Sequence, residues 1–575
     1  MARRVADVVV ETLISAGVSR VYGVSGDSLN GITDSIRSHS KDITWVHVRH
    51  EEAAAFAAGA ESQLTGKLTA CAGSCGPGNL HLINGLYDCH RTRVPVVAIA
   101  AQIPIRELGS NYFQETHPEI LFRECSNYCE LISHVDQIPR VLEIAIRTAI
   151  SKSGVSVIVL PGDLALDEAT SKRPIPNFSG EKPNVSPFLG DISKAADALN
   201  SSTKVTILAG AGCAGAHSQL MDVASILQAP IVHAFRGKEF VEYDNPYDVG
   251  MTGLLGFSSG YYAMMDSDLL LMLGTDFPYQ QFYPSEATIV QVDIRGEQLG
   301  RRTKVDIGII GGVVETLDAL KPLLTQKADS RHLKASRDHY QKTRKDLEDL
   351  AKGEPGRIPI HPQYVTKVLN EIAADDAIFS FDVGTPTIWA ARYLRMNGKR
   401  RLLGSFSHGS MANALPQAIG AQEVFPNRQV ISLSGDGGFA MLMGDFLSLA
   451  QLHLPVKIVI FNNGSLDFVE LEMKSAGIVD YGTELKNPDF SKLAEAAGVA
   501  GFRVERPEDV RPVLTKALSL PGPALVDCVV NRQELLIPPN LNFEVVKGFT
   551  LYMIRAVLNG KGDEIVDLAK TNLFR

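Results

Sequence analysis

Two polar segments in the last third of the sequence each follow an apolar run. SGDGGF (434–439) ends one run, and FNNG (461–464) ends the next. The intervening AMLMGDFLSLAQLHLP has the pattern of a crossover helix, which predicts that the two runs are neighbouring parallel strands. Because the carboxyl ends of such strands meet at one sheet edge, Asp436 and Asn463 are expected to lie together. Their oxygens, with a backbone carbonyl at Ser465, are the hard ligands that Mg²⁺ prefers.

Glycines flank the aspartate of the first segment. Gly437 and Gly438 would let backbone N–H groups approach phosphate oxygens at the start of a helix. GDGG by itself is equally well explained as a turn. Its spacing from the Asn-Asn pair favours a diphosphate and magnesium site.

Two further segments have the residue types of cofactor sites. The acidic pair that opens EEAAAFAAGA, Glu51 and Glu52, is explained on its own by the helix dipole, which favours acids in a first turn. GAGCAG (210–215) follows the apolar run KVTILA and fits the GxGxxG pattern of nicotinamide dehydrogenases. That fingerprint requires an acidic residue about 20 positions on, at the end of the second strand. Here APIVHAF is followed by Arg236, which argues against a nicotinamide site.

Alternation of short apolar runs with helical stretches predicts three consecutive α/β domains, each with a parallel sheet. The expected domains span residues 1–180, 190–335 and 355–535, and a C-terminal tail spans 536–575. Pro-rich stretches, SKRPIPNFSGEKPNVSP and GEPGRIPIHP, mark the boundaries.

The composition excludes several protein classes. With 45% hydrophobic and 21% charged residues, the chain is typical of globular proteins rather than disordered ones. A net charge of -9 argues against nucleic acid as a partner. No apolar run reaches the roughly 18 residues that a membrane-spanning helix needs. A mean hydropathy of +0.03 leaves contact with a membrane surface undecided.

GDGG followed by Asn-Asn, together with RHEEAAAFAAGA, resembles the thiamine-diphosphate-dependent enzymes. The resemblance implies that Glu51 activates the cofactor through N1′ of its aminopyrimidine, and that Asp436, Gly437, Gly438 and Asn463 hold its diphosphate and Mg²⁺. HGSMANALPQAIGA resembles the loop that bends the cofactor, with Gly409 offering its carbonyl, Ser410 beside it and Met411 as the wedge. DVGTPTIWAARY resembles another phosphate-contacting loop, through Gly384 and Thr385. Pro386 stands where many members carry histidine.

The middle block resembles the FAD domain of the pyruvate oxidase branch, through GMTGLLGFSSG, GTDFPYQQFYP and QVDIRGEQLG. The resemblance implies that Asp293 holds the adenosine ribose. It also implies that the flavin is lined by Gly212, Thr252, Gly253, Leu254, Leu255, Thr275, Asp276, Phe277, Pro278 and Tyr279.

Runs such as CAGSCGPGNLHLINGLYDCHR and YFQETHPEILFRECSNYCEL are similar to the quinone-linked, peripheral-membrane members of the pyruvate oxidase family. Such enzymes convert pyruvate to acetate and CO₂ and pass two electrons through FAD to a membrane quinone. The resemblance implies a homo-oligomer, at least a dimer and usually a tetramer, at the cytoplasmic face of the cell membrane. It places Phe113, Gln114, Phe122 and Phe468 around the substrate. The family carries glycine before the last of these, where this sequence has Asp467.

The tail ends in an amphipathic pattern. Ile565, Leu568, Ala569 and Asn572 recur at helical spacing, which fits a helix docked on the protein or one lying on phospholipid. The resemblance implies both states, with the tail covering the site at rest.

Three alternatives remain: an oxygen- and phosphate-dependent pyruvate oxidase, an acetolactate synthase-type lyase, and a non-catalytic lipid-binding scaffold, which the retained site residues disfavour.

Overall fold

The computed structural model describes residues 3–170, 173–178, 184–532, 534, 551–553 and 555. The predicted amphipathic pattern at 565–572 therefore lies outside the described residues. Within the described chain, no helix is both long enough and apolar enough to cross a membrane.

Three sheets follow one another along the chain, and each contains six parallel strands. The first consists of β1 (Arg20–Gly23), β2 (Thr44–His47), β3 (Thr69–Gly73), β4 (Val96–Gln102), β5 (Tyr128–Leu131) and β6 (Val155–Pro161). The second consists of β7 (Val205–Ala209), β8 (Ile231–His233), β9 (Asp248–Met251), β10 (Leu269–Leu273), β11 (Thr288–Asp293) and β12 (Ile307–Ile310). The third consists of β13 (Ile378–Phe381), β14 (Arg401–Gly404), β15 (Val430–Gly435), β16 (Lys457–Asn462), β17 (Ala500–Val504) and β18 (Ala524–Val529). The predicted fold class, three consecutive parallel-sheet α/β domains, is confirmed.

Helices connect the strands and cover the sheets. The first domain contains α1 (Val5–Ser15), α2 (Asn30–Ser38), α3 (Glu51–Thr65), α4 (Pro77–Thr92), α5 (Pro118–Leu121), α6 (Ile138–Lys152) and α7 (Gly162–Leu166). The middle region contains α8 (Leu189–Ser201), α9 (His217–Leu227), α10 (Lys238–Val241), α11 (Ser258–Met265), α12 (Val313–Leu320) and α13 (Arg331–Leu350). The third domain contains α14 (Pro362–Ile372), α15 (Thr385–Tyr393), α16 (Ala414–Val424), α17 (Asp436–Met441), α18 (Phe446–Gln451), α19 (Asp467–Ser475), α20 (Phe490–Ala496) and α21 (Pro507–Ser519).

The first and third sheets have the same strand order. The first runs β2-β1-β3-β4-β6-β5, and the third runs β14-β13-β15-β16-β18-β17. The middle sheet runs β12-β11-β10-β7-β8-β9, which is the order of dinucleotide-binding folds. In each sheet the strand order reverses between two inner strands, which are β1 and β3, β7 and β10, and β13 and β15. Ligands of open α/β sheets bind in the crevice at such a point.

Helices α3 and α16 pack the first domain against the third. The face of α3 is built from alanines, and a Cβ added to Gly420 of α16 would lie only 2.2 Å from the carbonyl oxygen of Ala57. Small residues therefore allow close approach of the two helices. Glu51 is the first residue of α3, and Met411 lies just before α16. The packing of these two helices therefore fixes the relative placement of Glu51 and Met411 within the chain.

Candidate active site

Asp436 and Asn463 lie together at the carboxyl edge of the third sheet. Strands β15 and β16 pair in parallel with Gly435 opposite Phe461, so the residues that follow each strand leave the sheet at the same edge. The backbone N–H of Asn463 donates to Oδ2 of Asp436 at 3.2 Å. The structure therefore brings together the two side chains that the sequence predicted to be neighbours.

The Asp436 carboxylate is buried and well supplied with donors. Oδ1 accepts from the N–H of Gly437 at 2.8 Å, and Oδ2 accepts from the N–H of Gly464 at 2.7 Å. A third donor to Oδ2 is Nδ2 of Asn487 at 2.7 Å, a contact for which the sequence pattern gave no signal. Burial raises the pKa of Asp436, and these donors oppose that rise.

The side chain of Asn463 is held in a defined orientation. Its Nδ2 donates to Oδ2 of Asp467 at 3.1 Å, while its Oδ1 accepts from the N–H of Ser465 at 3.1 Å. The hydroxyl of Ser465 donates to Glu470 Oε2 at 2.6 Å, so its backbone is the group left for a cation. Carboxylate, amide and carbonyl oxygens around this turn form a donor set that fits Mg²⁺.

A cavity opens above this turn, and the described residues that wall it all belong to the third domain. Gly384, at the start of α15, has a φ of +128°, which favours glycine. A Cβ on Gly438 would lie 2.4 Å from Oδ2 of Asp382, so there is no room for a side chain at this position. The predicted site residues that line the cavity are Gly384, Thr385, Met411, Asp436, Gly437, Gly438, Asn463, Ser465 and Phe468, with Asp467 beside them.

Gly409 and Ser410 precede Met411 on the loop that leads to α16. Gly409 has a φ of +76°, and Ser410 Oγ accepts from Nδ2 of Asn84 at 2.8 Å. The first domain therefore holds the loop that delivers Met411 to the cavity.

Glu51 is the first residue of α3 and is buried. His81 Nδ1 lies 2.9 Å from Glu51 Oε2. Because an ionised carboxylate can only accept hydrogen bonds, the His81 ring must donate its Nδ1–H to it. The imidazole of His50 stacks on His81 with 4.3 Å between ring centroids. His81 was not among the predicted site residues, because a histidine within a helical stretch carries no sequence signal for this contact.

The remaining predicted substrate residues of the first domain differ in exposure. Phe113 is 78% exposed, whereas Phe122 is fully buried in the domain core. Gln114 adopts a φ of +61°, and its Oε1 accepts from the thiol of Cys75 at 3.4 Å. Phe122 therefore packs against the first sheet and does not reach the third-domain cavity of the same chain.

Three glycines meet at the reversal point of the middle sheet, where β7 and β10 end. The N–H of Gly212 donates to the carbonyl of Gly274 at 2.9 Å, and a Cβ on Gly212 would lie 2.6 Å from Cα of Gly274. A Cβ on Gly210 would lie 2.6 Å from Cβ of Thr275. Thr252 is buried nearby on the loop after β9, and its hydroxyl has no hydrogen-bond partner among the described residues.

The other predicted flavin residues lie at or after the ends of β9, β10 and β11. Asp293 ends β11, and its Oδ1 accepts from the N–H of Arg295 at 2.9 Å. Burial raises the pKa of Asp293. Phe277 is buried and its ring makes an edge contact with Tyr279, which is 38% exposed. Of the remaining predicted positions, Gly253 has a φ of +97°, Leu254 and Pro278 are exposed, and Leu255 is half-buried.

Asp276 was also predicted to line the flavin, but two arginines hold its carboxylate. Nε of Arg302 donates to Oδ1 at 2.9 Å, and Nη2 of Arg93 donates to Oδ2 at 3.3 Å. Arg93 belongs to the first domain. The carboxylate therefore ties the first domain to the loop after β10.

Comparison with known proteins agrees with this three-part arrangement. Residues 3–120 match the N-terminal TPP binding domain of thiamine pyrophosphate enzymes, residues 192–320 their central domain, and residues 382–528 their C-terminal TPP binding domain. A putative thiamine pyrophosphate-containing protein, YdaP of Bacillus subtilis, is 35% identical over 562 residues, which cover 98% of this chain and 97% of YdaP.

Two relatives with assigned activities match nearly the whole chain. The pyruvate oxidase of Lactiplantibacillus plantarum is 30% identical over 544 residues, covering 93% of this chain and 90% of its own. An acetolactate synthase of Mycobacterium bovis is 30% identical over 555 residues, covering 93% and 89%. The chain belongs to the family of thiamine-pyrophosphate-dependent enzymes.

Proposed function

We propose that this enzyme oxidatively decarboxylates pyruvate with thiamine diphosphate, Mg²⁺ and FAD, and passes the electrons to a membrane quinone. The balanced reaction is pyruvate, water and quinone giving acetate, CO₂ and quinol. The observation that carries the proposal is that one chain combines two TPP binding domains with a middle domain whose strand order is that of dinucleotide-binding folds.

The residues at the third sheet fit a diphosphate with its cation. The bare backbone at Gly437 and Gly438, both buried, provides the cradle. Two buried carboxylate oxygens, Oδ2 of Asp382 and Oδ1 of Asp467, have no hydrogen-bond partner among the described residues. Asp436, Asn463 and the Ser465 carbonyl would hold Mg²⁺.

Thiamine diphosphate, when bound, supplies the electron sink for decarboxylation of a 2-oxo acid, and FAD supplies the acceptor for two electrons. Glu51 holds and moves the proton at N1′ of the aminopyrimidine. Because Oε2 faces His81, Oε1 is the oxygen left for that exchange. Met411 and Phe468 line the cavity with apolar surface and exclude water from the reacting carbons.

The middle crevice fits a dinucleotide such as FAD. Gly210 and Gly212 lie where β7 ends, and their lack of side chains lets the loop after β10 pack closely against them at the reversal point of the sheet. The partnerless hydroxyl of Thr252 and the partnerless Nη2 of Arg295 supply buried polar atoms for a ligand. Asp293, at the end of the neighbouring strand, is placed to accept from a ribose hydroxyl.

The catalytic unit in this proposal is a homo-oligomer, at least a dimer. Glu51 contacts residues of its own domain, whereas the described walls of the cavity come from residues 383–469. Sharing of sites between two copies would unite the two halves.

The proposed membrane partner is phospholipid, bound through the tail at the cytoplasmic face. Support comes from the described part of the C-terminal segment. The ring of Tyr552 is buried against Nζ of Lys474, 5.3 Å from the ring centroid, and Arg555 Nη1 donates to the carbonyl of Gly477 at 2.6 Å. This segment thus lies on α19, the helix that carries Phe468 to the cavity. Release of the tail to lipid would alter that contact.

Anaerobic addition of pyruvate to the holoenzyme tests the redox assignment. We expect pyruvate to bleach the flavin absorbance only when thiamine diphosphate is present. The expected product is acetate. Formation of acetolactate without bleaching would support the second candidate, an acetolactate synthase, which the similarity over 93% of the chain also favours. Acetyl phosphate and peroxide would identify an oxygen-dependent oxidase.

Removal of residues 560–575 tests the lipid assignment separately. The truncated enzyme is expected to lose binding to phospholipid vesicles and to turn over pyruvate faster without lipid. Unchanged binding and unchanged turnover would refute the role of the tail while leaving the redox chemistry intact.

A further inference from the structure

The two oxygens of the Asp436 carboxylate accept different numbers of hydrogen bonds. Oδ2 accepts three N–H groups, from Asn463, Gly464 and the Asn487 side chain, whereas Oδ1 accepts one, from Gly437. A carboxylate oxygen offers about two lone-pair directions, and the two close donors, Gly464 and Asn487 at 2.7 Å each, fill those of Oδ2. The N–H of Asn463 at 3.2 Å is a weaker third contact, and Oδ1 keeps the spare capacity. The donor that differs in kind is Asn487, because it is a side chain from a distant loop rather than backbone of the same turn.

The amide of Asn487 uses both of its N–H bonds. Its Nδ2 lies 2.7 Å from Oδ2 of Asp436 and 3.0 Å from Oδ1 of Asn462. A planar NH₂ group that donates to two oxygens is fixed in rotation about its side chain. Its orientation then depends on whether Asn462 presents oxygen or nitrogen to it.

A second carboxylate settles the orientation of Asn462. Nδ2 of Asn462 donates to Oδ1 of Asp527 on β18 at 2.9 Å. Asp527 Oδ2 accepts from Arg503 Nη1 at 2.6 Å and from the N–H of Phe490 at 3.3 Å, so this carboxylate serves as an acceptor. Asn462 must therefore turn its nitrogen to Asp527 and its oxygen to Asn487.

We infer that Asn487 is a positioning residue for the divalent cation. It saturates Oδ2 of Asp436, so that Oδ1 is the oxygen presented to the metal. Asp527 acts through Asn462 to fix the direction in which Asn487 donates. The relay runs from Arg503 at the surface through the buried contact of Asp527 with Asn462 and the partly buried contact of Asn462 with Asn487 to the proposed metal-binding carboxylate. This inference rests on the proposed magnesium and diphosphate site.

The test measures metal affinity in the full-length enzyme stripped of thiamine diphosphate and Mg²⁺ but retaining flavin. Mg²⁺ is titrated at saturating thiamine diphosphate, and the shift in thermal unfolding midpoint gives the half-saturating concentration. Replacing Asn487 with alanine is expected to raise that concentration by about 10- to 100-fold, the usual cost of losing an outer-shell partner. Lys486→Ala, an exposed neighbour in the same loop, is the matched control and is expected to leave it unchanged.

Asn462→Ala provides a second, independent variant. It is expected to raise the half-saturating Mg²⁺ concentration by itself, but to add little in the Asn487→Ala background, because both act through one contact. This non-additivity separates a relay from two unrelated losses of stability.

Two results would overturn the inference. One is an unchanged Mg²⁺ requirement in both single variants, with only the metal-free midpoint lowered, which would mean that the contact merely pins the loop. The other is a wild-type enzyme that gains no stability from Mg²⁺ and thiamine diphosphate together, which would remove the proposed cofactor site itself.

Discussion

Glu51 is a buried carboxylate whose one described side-chain partner, His81, leaves an oxygen for proton exchange. Glu51→Gln preserves the shape and can still accept a hydrogen bond from His81, but an amide cannot relay a proton. Pyruvate turnover is expected to fall by about 10²- to 10⁴-fold, the usual contribution of a positioned acid or base. Flavin content and the unfolding midpoint should match the wild type. Full turnover in the variant would refute the assigned role of Glu51.

Asp382 offers a prediction about pH. Burial raises its pKa to about 7, and one of its oxygens has no partner among the described residues. Because the carboxyl group in the unfolded chain has an ordinary pKa of 3.8, the folded enzyme retains a proton that the unfolded chain loses. The contribution of Asp382 to the free energy of unfolding is therefore lost as pH rises from about 4 to about 7.

Asp382→Asn removes that titration. The decline of the cofactor-free unfolding midpoint between pH 5 and pH 8 is expected to be smaller than in the wild type. Asp375→Asn, an exposed residue of the same domain, serves as the control and should leave the decline unchanged. Parallel curves for Asp382→Asn and wild type would contradict the prediction.

At the residue scale, the sequence predicted contacts that follow from strand ends and missed contacts between segments that are distant in the chain. Asp436 and Asn463 each come directly after an apolar run, so their meeting follows from parallel pairing. Asn487 lies in a loop 51 residues after Asp436, and His81 lies 30 residues after Glu51. Asn487, on a loop, and His81, on α4, meet their partners through the tertiary fold, which no local spacing encodes.

At the scale of elements, close packing of α3 on α16 depends on Gly420. Alanine there would place its Cβ 2.2 Å from the carbonyl oxygen of Ala57, a backbone atom that cannot turn away. Gly420→Ala is expected to destabilise the enzyme by about 1–3 kcal/mol through overpacking. Gly444→Ala is the matched control, because a Cβ there would meet nothing within 4 Å.

The unfolding midpoint of the two variants decides this point. Gly420→Ala should unfold several degrees below the wild type, and Gly444→Ala should stay close to it. Equal midpoints would mean that the helices separate without cost and that their contact does not fix the placement of Glu51 and Met411.

The strands that the sequence predicted are the inner ones. Apolar runs such as KVTILAG and QVISLSGDGG became β7 and β15, which have neighbours on both sides and are buried on both faces. The strands at the sheet margins, which are β2, β5, β9, β12, β14 and β17, have a neighbour on one side only. Several of these are partly exposed, so their sequences mix polar and apolar residues and resemble loops.

At the scale of the whole molecule, the two outer domains repeat one topology, and the middle domain differs. The repeated order places a reversal point beside β1 and β3 in one sheet and beside β13 and β15 in the other. The proposed half-site residues, Glu51 and Asp436, come from these two related domains. The order of the middle sheet could not be predicted from the sequence, because apolar runs do not specify which strands become neighbours.

Sharing of the site between copies leads to a complementation test. Glu51→Gln and Asp436→Asn are each expected to lower turnover strongly when present alone. In a dimer formed from one of each, one site carries both substitutions and the other carries neither, because each site takes its glutamate and its aspartate from different chains. Co-expression of differently tagged variants should therefore restore activity to about a quarter of the wild type for random pairing of dimers. Mixed oligomers confirmed by tandem purification but devoid of activity would show that each chain completes its own site. Co-expression of two tagged Glu51→Gln chains is the control, and it should recover nothing.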